Sequence, residues 1–175
     1  MLLPNVSKDE MLRAARTFYS TGDMQPLCGF IEGHVSAFGN RDYRWSNELT
    51  IIPAFLVMFF NDTLCIMDSE TALKRDYVDM TMIIRPDMRK YQLLDILIEF
   101  KYVGLEDLSL SGDQIQKMPQ TDLESVPAMQ KQFAASKTKL DNYRQVLADK
   151  YGEKLRLHCY SVVSLGFERL LWTEV

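Results

Sequence analysis

Asp79, Glu99 and Lys101 are the residues of this chain whose types and spacing suit phosphate chemistry. Asp79 lies in Asp76-Tyr77-Val78-Asp79-Met80-Thr81-Met82-Ile83-Ile84, and the other two close the run Leu93-Leu94-Asp95-Ile96-Leu97-Ile98-Glu99-Phe100-Lys101. On a strand alternate side chains share a face, so Glu99 and Lys101 point one way while Ile96, Ile98 and Phe100 point the other. Charges inside so apolar a strand are costly unless each has a partner, and a metal ion would supply one. Asp79 and Glu99, with the backbone carbonyl of Phe100, make an oxygen-rich partial site suited to Mg²⁺, which keeps several waters and a phosphate oxygen in its remaining positions. The chemistry of such a site is phosphate-ester cleavage: the metal activates a water and offsets charge on the phosphate, while Lys101 orients or deprotonates the nucleophile. Glu48 is a candidate to hold a water or a second ion, and Glu70 is a weaker one. Asp95 shares the face of Glu99 and is expected near the strand end, in solvent. The plainer alternative makes Glu99-x-Lys101 an ordinary ion pair near a sheet edge.

The elements that must position these residues follow from the apolar pattern. Ser7 and Glu10 form a capping box, and Met11, Ala14, Ala15 and Phe18 recur at helical spacing, predicting a helix over about 8–20. A second runs from about Pro26 to Phe38 and is stopped by Gly39-Asn40, so the chain opens with a helical hairpin. Ser46 or Asn47 caps a third, almost wholly apolar helix with Glu48 in its first turn, ending at Asn61-Asp62. Strands are expected at Leu64 to Met67, Tyr77 to Arg85 and Tyr91 to Tyr102, the last two paired as an antiparallel hairpin across Pro86 to Lys90. A polar connection holds a helical turn near Leu105 to Leu108 and breaks at Ser111-Gly112-Asp113. The longest helical stretch is Thr121 to Tyr151, its regular part delayed by Pro127 and closed by Gly152. Strands at about Leu155 to Leu165 and Phe167 to Thr173 meet at Gly166. This order, ααα-βββ-α-ββ, reads as an α/β sandwich around a mixed sheet.

The 175 residues, 47% of them apolar, suit one domain with a single core. A net charge of −4 argues against a broad basic surface for gripping nucleic acid, although a local basic groove is compatible with it. Cys28, Cys65 and Cys159 show no CxxC spacing and read as buried thiols; His34 and His158 show no HExxH spacing, so zinc chemistry is not indicated. The apolar run Leu49 to Phe60 is too short for a membrane span and is interrupted by Pro53, and Met1-Leu2-Leu3-Pro4 lacks the features of a secretory signal, so the chain is expected in the cytosol. The methionines around Met80-Thr81-Met82 read as core filling. No GxxxxGK[ST] run occurs, so the chain carries no P-loop.

Several segments together resemble a known family. Ser69-Glu70, Tyr77-Val78-Asp79, Ile96-Leu97-Ile98-Glu99-Phe100-Lys101-Tyr102, Leu140-Asp141-Asn142-Tyr143 and Leu165-Gly166-Phe167-Glu168-Arg169-Leu170-Leu171-Trp172 look like the PD-(D/E)xK nuclease domain at the C-terminus of bacterial AAA-ATPase-like proteins. Leu3-Pro4-Asn5 resembles the segment linking the ATPase part to that domain, so the resemblance covers nearly the whole chain. It implies a restriction-endonuclease-like αβββαβ core over residues 46–175, with 1–40 as a helical extension. It also implies Mg²⁺, replaceable by Mn²⁺, at Asp79, Glu99 and Phe100, with Lys101 as the catalytic lysine and Glu48 matching an acidic residue of the preceding helix. Lys139 stands where many relatives carry glutamine four residues before a tyrosine, here Tyr143; both become candidates to meet a phosphate, with Lys137 beside them. Tyr77 stands where glycine is common. The implied partners are nucleic acid, above all DNA, and an AAA-type ATPase domain in the same or a partner chain. The rival reading is a non-catalytic binding or regulatory domain that keeps the fold. Trp172 and the C-terminal strand add the expectation of a homodimer through an exposed edge.

Overall fold

The computed structural model describes residues 8–35, 52–56, 65–73 and 76–175. Helix α1 (Lys8–Thr21) and helix α2 (Gln25–Val35) come first, and residues 52–56 are helical (α3). Ser7 and Glu48 lie outside the described residues, as does most of the expected third helix. The α1 stripe of Ala14, Ala15, Phe18 and Tyr19 is buried, as the spacing of apolar residues requires. Gly22 ends α1 with a φ of 77°, a left-handed conformation that favours glycine, and its carbonyl accepts a 2.9 Å hydrogen bond from the Tyr160 hydroxyl.

Strands β1 (Cys65–Leu73), β2 (Asp76–Ile84), β3 (Asp95–Val103), β4 (Leu157–Leu165) and β5 (Arg169–Glu174) form one mixed sheet in the order β1-β2-β3-β4-β5. All neighbours are antiparallel except β3 and β4, which run parallel from Asp95↔Leu157 to Val103↔Leu165. A parallel pair needs a long crossover. Here it consists of α4 (Leu105–Leu108), α5 (Gly112–Lys117), α6 (Gln120–Glu124) and α7 (Pro127–Tyr151). Ser111, read from sequence as a break, caps α5 in a reciprocal capping box with Gln114. Pro127 starts α7 at its first turn, where its missing N–H costs nothing, and Gly152 ends it.

Helices cover both faces of the sheet. Met80, Met82, Ile84, Ile96, Ile98, Phe100, Tyr160 and Val162 share one core with α1, α2 and Phe55 of α3. On the opposite face Ile83, Leu97 and Cys159 pack on Leu140, Tyr143 and Leu147 of α7, and Val103, Val163, Leu165 and Leu171 pack on Ile115, Leu123 and Met129. The chain is thus α/β, with a five-stranded mixed sheet flanked by helices. Among the described residues no helix is long and apolar enough to cross a membrane. Cys28, Cys65 and Cys159 are buried free thiols.

Two expectations are corrected here. Strand β3 begins at Asp95 rather than Tyr91, and Asp95 is wholly buried instead of facing solvent. Its carboxylate receives both terminal nitrogens of Arg89 at 3.0 Å and accepts the backbone N–H groups of Ile84 and Arg156 at 2.8 Å. A buried carboxylate needs that full set of donors. Asp95 therefore ties the end of β2 and the residue before β4 to the start of β3.

Candidate functional site

The side-chain alternation of β2 breaks at Asp79. Met80, Met82 and Ile84 face α1 and α2, yet Val78, which strict alternation would place with them, packs with Leu97 and Tyr143 on the α7 side. Pairing with β3 stops at the same place. The β1–β2 register keeps one offset across it, with Ser69↔Met80 and Thr71↔Val78, whereas the β2–β3 pairs run from Met82↔Ile96 to Met80↔Ile98. The backbone N–H of Phe100, beyond the last β2–β3 pair, is taken up by Asp79 Oδ2 at 2.7 Å. An irregular strand that re-aims a side chain is a recurrent way to build a site into a sheet.

Glu99 sits beside this break, on the face covered by α7, with its side chain fully excluded from solvent. Two ammonium groups reach the same oxygen: Lys101 Nζ and Lys139 Nζ each lie 2.7 Å from Glu99 Oε1. Lys101 Nζ also donates to the Phe100 carbonyl oxygen at 3.1 Å. Glu99 Oε2 is buried and has no hydrogen-bond partner among the described residues. Burial pushes the Glu99 carboxyl above its ordinary value; the hydrogen bonds from Lys101 and Lys139 oppose the rise, and the Asp79 charge adds to it.

The structure therefore brings together Asp79, Glu99, the Phe100 carbonyl, Lys101 and Lys139. Tyr143, one turn beyond Lys139, is buried with its ring 5.9 Å from the Lys139 ammonium. Lys137 points elsewhere and pairs with Asp141 at 3.5 Å on the exposed side of α7. Glu48 lies outside the described residues, and only the backbone of Glu70, in β1, lies within them. Among the described residues, no cluster of three or more His, Cys, Asp or Glu side chains is placed to hold a metal. The oxygens gathered here are the carboxylates of Asp79 and Glu99 and the backbone carbonyl of Phe100.

That donor set fits a hard divalent cation. Its oxygens are carboxylate and carbonyl, and a positive group, the Lys101 ammonium, already bridges Glu99 Oε1 and Phe100 O.

Sequence reasoning missed two polar groups on this face. Ser161 of β4 is the register partner of Glu99, and Ser136 lies on α7 one turn before Lys139. Both are fully buried, and neither hydroxyl has a hydrogen-bond partner among the described residues. A single serine carries no signal of its own; Ser161 stands out only once the parallel register sets it beside Glu99.

Compared with known proteins, the chain matches no family model, no curated protein and no solved structure.

Proposed function

We propose that the chain is a Mg²⁺-dependent nuclease-type phosphodiesterase of the PD-(D/E)xK kind, acting on nucleic acid, with DNA as the substrate class. One observation carries this reading. A fully buried glutamate, Glu99, is set beside a break in strand pairing, with a lysine ammonium across its Oε1 and the Phe100 carbonyl, and with Asp79 holding the adjacent N–H. Buried charge in a sheet is costly, and a carboxylate, a carbonyl and a lysine converging at one irregularity suit a phosphate-cleaving centre better than they suit stability alone. The element order α-βββ-α-β, with the third and fourth strands parallel, agrees with the core that the family resemblance implies.

In this reading Asp79, Glu99 and the Phe100 carbonyl would hold the ion. The chemistry such an ion supplies is Lewis acidity toward water and phosphate. Lys101 orients the attacking water and takes or gives its proton, positioned by Glu99. Lys139, reaching in from α7, meets the phosphate backbone, with the Tyr143 ring 5.9 Å from its ammonium. Van der Waals closure by α7 on one side and the sheet on the other limits the access of bulk water to Glu99.

A second reading is favoured by the same lysines. Two ammonium groups already pair with Glu99, so a nuclease-fold binding or regulatory domain without catalysis, attached to an ATPase, also suits the centre. Cleavage of mixed single- and double-stranded DNA with Mg²⁺ or Mn²⁺, beside Glu99→Ala and Lys101→Ala, separates the two. Metal-dependent cutting lost in both variants supports the nuclease. Wild-type protein that binds DNA but never cuts it supports the second reading.

A further inference from the structure

Lys139 makes an interaction that neutralisation of Glu99 does not require. Lys101 alone gives Glu99 one counter-charge, 2.7 Å from Oε1. Lys139 adds a second ammonium on the same oxygen at the same distance, while Oε2 has no partner among the described residues. Two like charges on one oxygen repel each other, and spreading them over both oxygens would relieve that repulsion. The Lys139 side chain is a quarter exposed and comes from α7 rather than from the strand that carries Glu99. Its ammonium also lies within cation–π range of the Tyr143 ring, at 5.9 Å, so it has a second seat close by. Lys101 has no such latitude, being two residues from Glu99 on one strand and bonded to Phe100 O as well.

We propose that Lys139 is an internal competitor for the divalent cation: its ammonium occupies Glu99 Oε1 and must leave that oxygen before a metal binds with full affinity. This rests on the metal-site reading above and adds a regulatory role within it. Lys139 then sets how tightly the centre takes its ion, and the Tyr143 face receives the displaced ammonium.

The test is the affinity of the purified chain for Mn²⁺, measured by titration calorimetry on wild type, Lys139→Met, Lys139→Gln, Lys139→Arg and Glu99→Gln, with thermal melts confirming that each is folded. Removal of one positive charge beside the ion should tighten Mn²⁺ binding roughly tenfold or more in the Met and Gln variants. The Arg variant should stay near wild type, and Glu99→Gln should lose binding. Mn²⁺ binding by Lys139→Met where wild type shows none would support the proposal most strongly. Equal or weaker binding in folded Met and Gln variants, with wild type binding normally, would overturn it and leave Lys139 as an anchor of α7, with the metal reading intact. Absence of binding in every folded variant would overturn the metal reading together with it.

Discussion

The Asp79 carboxylate accepts the backbone N–H of Phe100 at 2.7 Å, beyond the point where β2 and β3 stop pairing. A side chain thus replaces a ladder hydrogen bond, and the β3 segment that carries Glu99 and Lys101 is held by the acid that would share their ion. Asp79→Asn keeps an oxygen acceptor, whereas Asp79→Ala leaves the N–H without its partner. Urea denaturation should show Asp79→Ala losing about 1–3 kcal/mol and Asp79→Asn clearly less. Both should lose metal-dependent cleavage. Equal stability losses in the two variants would contradict a hydrogen-bonding role.

Asp95 should be the more costly acid to remove, although the proposed chemistry does not use it. Its loss strands Arg89 and two backbone N–H groups at the junction of β2, β3 and β4. Removing one partner of a buried charge pair costs about 3–5 kcal/mol, so Asp95→Ala should fall in that range by chemical denaturation. A loss under about 1 kcal/mol would mean that the junction is held by packing alone.

Much of this arrangement was legible in the sequence. The β-branched and apolar runs marked β2 and β3, period-two alternation put Glu99 and Lys101 on one face, and the turn between the strands brought Asp79 toward them. Helical spacing located α1, α2 and α7, and Pro127 and Gly152 marked the limits of α7. The far half of β1 was not legible, because Asp68, Ser69, Glu70 and Thr71 are too polar to read as a strand until β2 pairs with them. Nor was the burial of Asp95: its partners Arg89, Ile84 and Arg156 are scattered along the chain, and only the fold collects them. The break at Asp79 left no mark either, since Val78 and Met80 are both apolar and differ only in which core they enter. Ser136 and Ser161 became visible through register and helix phase.

The turn between α1 and α2 gives a test of packing away from the site. Gly22 has a φ of 77°, and a Cβ added there would lie 2.6 Å from the Tyr160 hydroxyl oxygen. Both the backbone conformation and the close approach oppose a side chain, so Gly22→Ala should cost about 1–3 kcal/mol, read as a lower Tm. An unchanged Tm would show that the turn relaxes freely.

The pH dependence of stability should carry the signature of Glu32. Burial raises its pKa above the ordinary glutamate value, against the lowering effects of the Leu170 N–H it accepts and of the nearby Arg169. The folded chain therefore holds this proton more tightly than the unfolded chain does. Between the ordinary and the raised pKa, stability falls as pH rises, because deprotonation is easier in the unfolded state. Glu32→Gln should flatten that part of the curve of Tm against pH. A slope identical to wild type would assign the dependence to other groups.

The most direct measurement is anomalous diffraction from crystals of the chain soaked in Mn²⁺. One strong peak is expected within coordination distance of Asp79, Glu99 and the Phe100 carbonyl oxygen, with the Lys139 ammonium withdrawn from Glu99 Oε1. Saturating Mn²⁺ with no peak there, and with Lys101 and Lys139 still seated on Glu99 Oε1, would contradict it and leave the centre as a buried ion-pair cluster.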